Sequence, residues 1–356
     1  MDVKVRNRLI VCGACVAVTA VLLALAHWAS DWFFSFYPAV SRFLQRPLAA
    51  VTSVVPFPVW ELAIPVLIVL FVVTLVRAVC KKRFARWCAG VLMIACIAGS
   101  SFVNLWGLNH FGPTLDEKLG LTVEQHTVEQ LTEATAYYLK MANQTVGSTP
   151  RNADGTLALP AFSELSRNAD DGYRLLKEEY PIFSGALNRV KRVVSWPIMS
   201  RFGITGIFIC LTGESSVNPD AYAASLPFTM CHELAHRMAV SRENEANFCA
   251  YLSARANPDP VFQYSAYYSA FVYCHNALYK VSPATARAMW DYADAQVYAD
   301  CVAANAHYSK YEGKVQDAAQ KVNDTYLKTF GQTSGVQSLG EVADILITLY
   351  FAEKSS

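Results

Sequence analysis

At 356 residues, of which 53% are hydrophobic and 17% charged, the chain is too apolar for an ordinary soluble protein, yet long enough to hold a globular unit beside a membrane anchor. A net charge of +1 supplies no field that would gather nucleic acid or an acidic substrate. The apolar excess lies near the N-terminus, where residues 9–29, 59–79 and 87–106 are each long enough to cross a bilayer core and carry charges such as Glu61 and Arg77 only near their ends. Lys4, Arg6 and Arg8 precede the first stretch, and Ala24-Leu25-Ala26 inside it resembles a signal cleavage site; its length and the spans that follow favour a retained anchor. Lys81, Lys82, Arg83 and Arg86 crowd the second connection, whereas the first holds only Arg42 and Arg46. The positive-inside rule therefore places the N-terminus and residues 81–86 in the cytoplasm, and three crossings carry the remainder outside. Residues 1–110 are expected to form a multi-pass anchor in contact with membrane lipid, and residues 111–356 the globular domain.

Ten cysteines are placed unlike a disulfide framework. Cys12, Cys15, Cys80, Cys88 and Cys96 lie in or beside the spans, where the Cys12-Gly-Ala-Cys15 spacing reads as helix packing. Cys210, Cys231, Cys249, Cys274 and Cys301 are scattered through the domain, and an odd number cannot all pair internally. They allow one or two disulfides or buried thiols in an exported domain, or a cytoplasmic placement of it.

Within the domain, residues 119–143 and 162–180 have helical character, separated by a turn-rich loop at 147–160. Arg189, Lys191, Arg192 and Arg201 read as a solvated face or a contact with lipid head groups. Residues 203–212 are apolar, β-branched and bounded by glycines, hence a strand, and residues 215–220 look like the turn after it. Such a strand is either a core element or the edge on which an extended peptide substrate pairs its backbone.

The segment His232-Glu233-Leu234-Ala235-His236 is an HExxH motif. On a helix, imidazoles at i and i+4 point at one metal ion, and the glutamate between them reaches a water at that ion. A second helix is expected over residues 241–252, with Ser241 as its N-cap. Catalytic zinc usually takes three protein ligands, so this helix should supply the third. Glu243 and Asn247 are i and i+4 and share a face, so Glu243 suits the metal and Asn247 the orientation of a histidine ring. Glu245 points elsewhere, as a surface carboxylate or a reserve ligand.

HELAH followed by ENEAN resembles the glutamate-zincins (gluzincins), in which a second helix carries an ExxxD or ExxxN pattern whose glutamate is the third ligand. Together with the preceding spans and Val-Asn-Asp-Thr-Tyr-Leu-Lys at 322–328, residues 203–252 resemble a bacterial membrane-anchored family of predicted zinc peptidases with no assigned function. Two departures stand out. The loop from His236 to Glu243 is much shorter than in thermolysin-like enzymes, and asparagine stands where many gluzincins have aspartate.

Residues 261–279, 284–305, 315–330 and 339–351 complete a mostly helical domain. Amide hydrolysis benefits from a donor aimed at the developing oxyanion, and His275, His307 and Tyr326 are the candidates. The expected fold is mainly α: three N-terminal transmembrane helices, then a zincin-like domain with a small sheet beside the metal helix. The expected function is Zn2+-dependent hydrolysis of a peptide or protein substrate outside a bacterial cell membrane, through His232, His236 and Glu243 as ligands and Glu233 as base. An intramembrane peptidase is disfavoured by the charges at Arg237, Arg242, Glu243 and Glu245. A non-catalytic sensor or scaffold would have no use for Glu233. Substrate preference and oligomeric state are not legible in the sequence.

Overall fold

Four long helices open the chain, α1 (Val3–Trp28), α2 (Ser30–Ser53), α3 (Val59–Cys80) and α4 (Phe84–Leu105), in a computed structural model that describes residues 2–119, 123, 126–184, 189–330, 332 and 338–355. α1, α3 and α4 are long and apolar enough to cross a membrane, and most of each apolar stretch faces outward. Water does not tolerate such a belt of exposed Val, Leu and Ile, so these helices anchor the protein in a bilayer. At one end, Arg86 binds the Asp2 carboxylate and its carbonyl accepts from Arg8, which brings the N-terminus and the α3–α4 turn together. The globular part packs at the other end.

α2 occupies what the sequence suggested was a mere connection. Phe33, Phe34, Tyr37, Ser41, Gln45 and Ala49 recur at helical spacing and form its buried stripe, disguised by two polar members and by Pro38 and Pro47 within the helix. The stripe ties the anchor to the domain. Tyr37 and Ser41 donate to the carbonyls of Asn104 and Leu105 at the end of α4, Arg42 to that of Met238, and Thr52 to that of Thr212.

The domain continues with α5 (Leu115–Leu119), α6 (Val128–Val146), α7 (Phe162–Asn168), α8 (Asp171–Leu176), β1 (Lys191–Arg192), α9 (Trp196–Arg201), β2 (Gly206–Ile209) and β3 (Glu214–Val217). Then follow α10 (Leu226–Arg237), α11 (Glu243–Ala256), α12 (Pro260–Val281), α13 (Pro283–Ala288), α14 (Ala295–Tyr308), α15 (Lys314–Thr329) and α16 (Ser338–Ser355). The fold is mainly helical. α11 lies at its centre, buried from Glu245 through Ala254 against α10, α12 and α16.

Several boundaries differ from expectation. α6 begins only at Val128, where Thr127 and Gln130 form a capping box, and residues 120–122 and 124–125 of the expected 119–143 helix lie outside the described residues. The 162–180 helix breaks into α7 and α8, and the 284–305 helix into α13, a 3-10 turn at Met289–Tyr292 and α14, which Asp294 caps. Residues 215–217 are not a turn but part of β3, wholly buried; serine carries a turn signal in sequence, but here its small side chain packs in the sheet centre. Sheet order is β1-β3-β2, with β1 parallel and β2 antiparallel to β3, so β2 is an edge strand.

The basic stretch is not uniformly a solvated face. Lys191 is buried, and its Nζ lies 2.6 Å from Glu214 Oε1 and donates to the carbonyls of Thr52 and Phe57. All ten cysteines are free, and the five in the domain are buried, where burial pushes the thiols of Cys210, Cys231 and Cys301 up to about 12.

Candidate metal centre

α10 is held on all sides before it presents any chemistry. Every residue from Leu226 to Arg237 except His232 is buried, the Cys231 carbonyl accepts from Tyr173 Oη, and the Glu233 carbonyl accepts from Ser215 Oγ on β3. The helix ends in a tight reversal. Ala239 adopts φ 68°, a left-handed conformation that costs a non-glycine residue about 1 kcal/mol or more, and this lets Val240 N–H return to the Ala235 carbonyl. The short loop that departs from the thermolysin pattern is thereby sufficient to set α11 beside α10. Ser241, the expected N-cap, is buried in this loop, and Arg242 takes the cap position without a side-chain cap.

Three side chains converge there. His232 Nε2 lies 3.0 Å from His236 Nε2 and 3.2 Å from Glu243 Oε2, and His236 Nε2 lies 3.6 Å from Glu243 Oε1. The outer nitrogens are both engaged, His232 Nδ1 with Asn247 Oδ1 and His236 Nδ1 with the Val240 carbonyl, each at 2.8 Å. Because both partners can only accept, each Nδ1 carries the proton, and both Nε2 lone pairs are left facing the same point. As neutral rings they offer two lone pairs to one cation, and a proton on His232 Nε2 directed at Glu243 meets the same demand for positive charge.

Charge balance leads to the same conclusion. Burial opposes ionisation of Glu243, yet the hydrogen bond from His232 and the nearby imidazoles hold its carboxyl down to about 2. Burial pushes His236 down to about 4, while in His232 the Glu243 carboxylate outweighs burial and raises the imidazole. A buried carboxylate held ionised beside an imidazole that attracts a proton is an environment that favours a cation. Its nitrogen, nitrogen and oxygen donors suit zinc, and a tetrahedral zinc with bonds of about 2.0–2.1 Å needs donors about 3.3–3.4 Å apart, close to the spacings found.

Glu233 stands beside this group without joining it. Its carboxyl is buried, one oxygen has no hydrogen-bond partner, and burial pushes it up to about 8. A Cβ at Gly206 would overlap this carboxyl, so only glycine lets the start of the β2 edge lie against it.

Glu245 is neither exposed nor at the metal group. It is buried, 2.9 Å from Arg242 Nη1, and accepts from Leu115 N–H. Of the three oxyanion candidates, only Tyr326 is brought near: burial and the charge of Glu243 raise its hydroxyl pKa. His275 is held between Phe271 and Trp290 with Nε2 on the Ala286 carbonyl, and His307 lies 3.6 Å from Asp220 at a separate cavity.

The sequence reading missed His110. This residue sits in the turn after α4, 2% exposed, with Nε2 3.4 Å from Tyr326 Oη and Nδ1 unpartnered. Burial and the field of His236 push it down to about 3. Trp106, one helical turn earlier, donates from Nε1 to the His236 carbonyl at 3.1 Å. Neither residue carries a local signal; the end of a membrane span meets the metal helix only through the fold.

A family model described as a protein of unknown function, DUF3810, matches residues 33–347, from α2 through α16. The chain belongs to the DUF3810 family. No curated protein and no solved structure matches it. The match takes in α2 and the anchor helices α3 and α4 together with the histidine and glutamate group, so this DUF3810 chain carries both within one family unit.

Proposed function

We propose that the protein is a membrane-anchored zinc-dependent peptidase of the gluzincin type, with its globular part on the extracytoplasmic side. The observation that carries this reading is the convergence of His232, His236 and Glu243 beside a buried carboxyl, Glu233, that has a free oxygen and lies against an edge strand. His232, His236 and Glu243 would hold the ion, with Asn247 and the Val240 carbonyl fixing the two rings. A bound zinc ion supplies Lewis acidity, which makes water nucleophilic near neutral pH.

The remaining work falls to the chain itself. Glu233 accepts the proton of the attacking water and passes it to the leaving nitrogen. The raised basicity that burial gives its carboxyl suits both halves of that transfer. The open edge of β2 supplies sequence-independent hydrogen bonds to an extended peptide, and Gly206 brings that edge up to Glu233. Tyr326, supported by His110, is the hydroxyl donor nearest in kind to what a developing oxyanion needs.

Glu233→Gln tests the reading, since glutamine keeps the shape and removes the base. Full-length protein purified in detergent should retain its zinc by metal analysis and lose at least about 100-fold in cleavage of a peptide library. Retained turnover would remove Glu233 from the mechanism.

A further inference from the structure

A cavity of about 90 Å3 opens beside the start of β2, lined among others by Thr205, Asp220, His307, Tyr308 and Tyr311. Its position is set by backbone: Asn218 N–H donates to the Thr205 carbonyl at 2.8 Å, and Thr205 directly precedes Gly206, which lies against Glu233. An extended peptide advances about 3.3 Å per residue, so a substrate paired with β2 reaches this cavity within one or two residues of the base. Tyr308 fixes the opposite wall to the metal helix, since its hydroxyl accepts from Tyr222 N–H at 3.1 Å and lies 3.3 Å from Ser225 Oγ at the start of α10.

The chemistry of the cavity centres on Asp220. Its Oδ2 accepts from Ser200 Oγ and Tyr311 Oη, each at 2.7 Å, with His307 Nε2 at 3.6 Å. Among the described residues no hydrogen bond reaches Oδ1. Among the described residues no guanidinium or ammonium pairs with Asp220, whose one basic neighbour within ion-pair distance is His307. A carboxylate with one oxygen oriented by two hydroxyls and the other free of hydrogen bonds, in a cavity lined by Tyr308 and Tyr311, is suited to an organic cation through a charge-assisted hydrogen bond. The volume is roughly that of three waters, room for a guanidinium or ammonium head.

We infer that this cavity is a subsite for the basic side chain of an arginine or lysine in the peptide substrate, an inference that rests on the peptidase reading above. Its test uses full-length, zinc-loaded Glu233→Gln protein in detergent, which binds peptide without cutting it. N-acetylated, amidated hexapeptides are compared in pairs that carry arginine or its neutral isostere citrulline at each position in turn. At one position the arginine peptide should bind about 10-fold tighter, and adding Asp220→Asn should abolish that difference while leaving the affinity of the citrulline peptide unchanged. No preference at any position, whether through equal binding or none, overturns the assignment, as does a preference that survives Asp220→Asn. Selective binding of arginine peptides by a protein whose Glu233-bearing form cuts none would uphold the subsite and sink the peptidase reading instead.

Discussion

Glu243 and Glu245 stand two residues apart at the start of α11 and face different surroundings. The i+4 relation of Glu243 to Asn247 puts those two on one helix face, and in the structure that face meets His232. The burial of Glu245 is invisible at that level, since its partners are the neighbouring Arg242 and the distant backbone of Leu115. Replacing the two should therefore fail differently. Glu243→Ala removes a donor and should lower zinc affinity severely in a metal titration. Glu245→Ala leaves the largely buried Arg242 guanidinium without its carboxylate and should cost about 3 kcal/mol of stability while zinc affinity in the folded protein stays close to wild type. The reverse ranking in metal binding would move the third ligand to Glu245. His110 and Ala239 mark the limit of residue-level reading: one reaches the site from the end of a span, the other through a backbone conformation no pattern of side chains announces.

Among the elements, the small sheet decides most about the site, and it is the least legible in sequence. β2 was readable from its β-branched run, but β3 was not, because Glu-Ser-Ser-Val combines a charge with turn-forming serines. The sheet accepts it because Glu214 is neutralised by Lys191 and also caps α3, taking hydrogen bonds from Val59 N–H at 2.9 Å and Trp60 N–H at 3.3 Å. The Glu61 carboxylate makes a second tie to the backbone of Val194 and Ser195. Span and sheet are thus joined through buried charge. Glu214→Ala strands the Lys191 ammonium, frees two helix-end donors, and should cost about 3–5 kcal/mol in the unfolding of the full chain in detergent. A loss below about 1 kcal/mol would show the pair to be dispensable.

At the scale of the molecule, the histidine and glutamate group lies at the end of the anchor opposite the N-terminus and the α3–α4 turn. Lys81, Lys82, Arg83 and Arg86 sit at that turn, and the proposed orientation, argued from the positive-inside rule, has this turn in the cytoplasm and the domain outside. A reporter active only outside the cytoplasm should accordingly be active when fused after Ser356 and silent when inserted near Lys82. Activity at Lys82 and silence at Ser356 would reverse the orientation and leave the geometry of the histidine and glutamate group untouched. The free domain cysteines fit either side, because each is buried beyond the reach of oxidants.

Length, apolar runs and basic flanks were enough to find three membrane-length helices, and the periodicity of HExxH with ExxxN was enough to pick out the residues that converge. Both are local properties: a span is a run of side chains that water rejects, and an i+4 pair shares a face wherever its helix goes. Only the tertiary structure decided that α2 bridges anchor and domain, that β3 supports the metal helix, that Glu245 and Lys191 are buried, and that His110 and Trp106 approach His236. Each of those depends on which distant segment arrives as a partner, and a buried charge or an orphaned imidazole has no local pattern that distinguishes it from a solvated one.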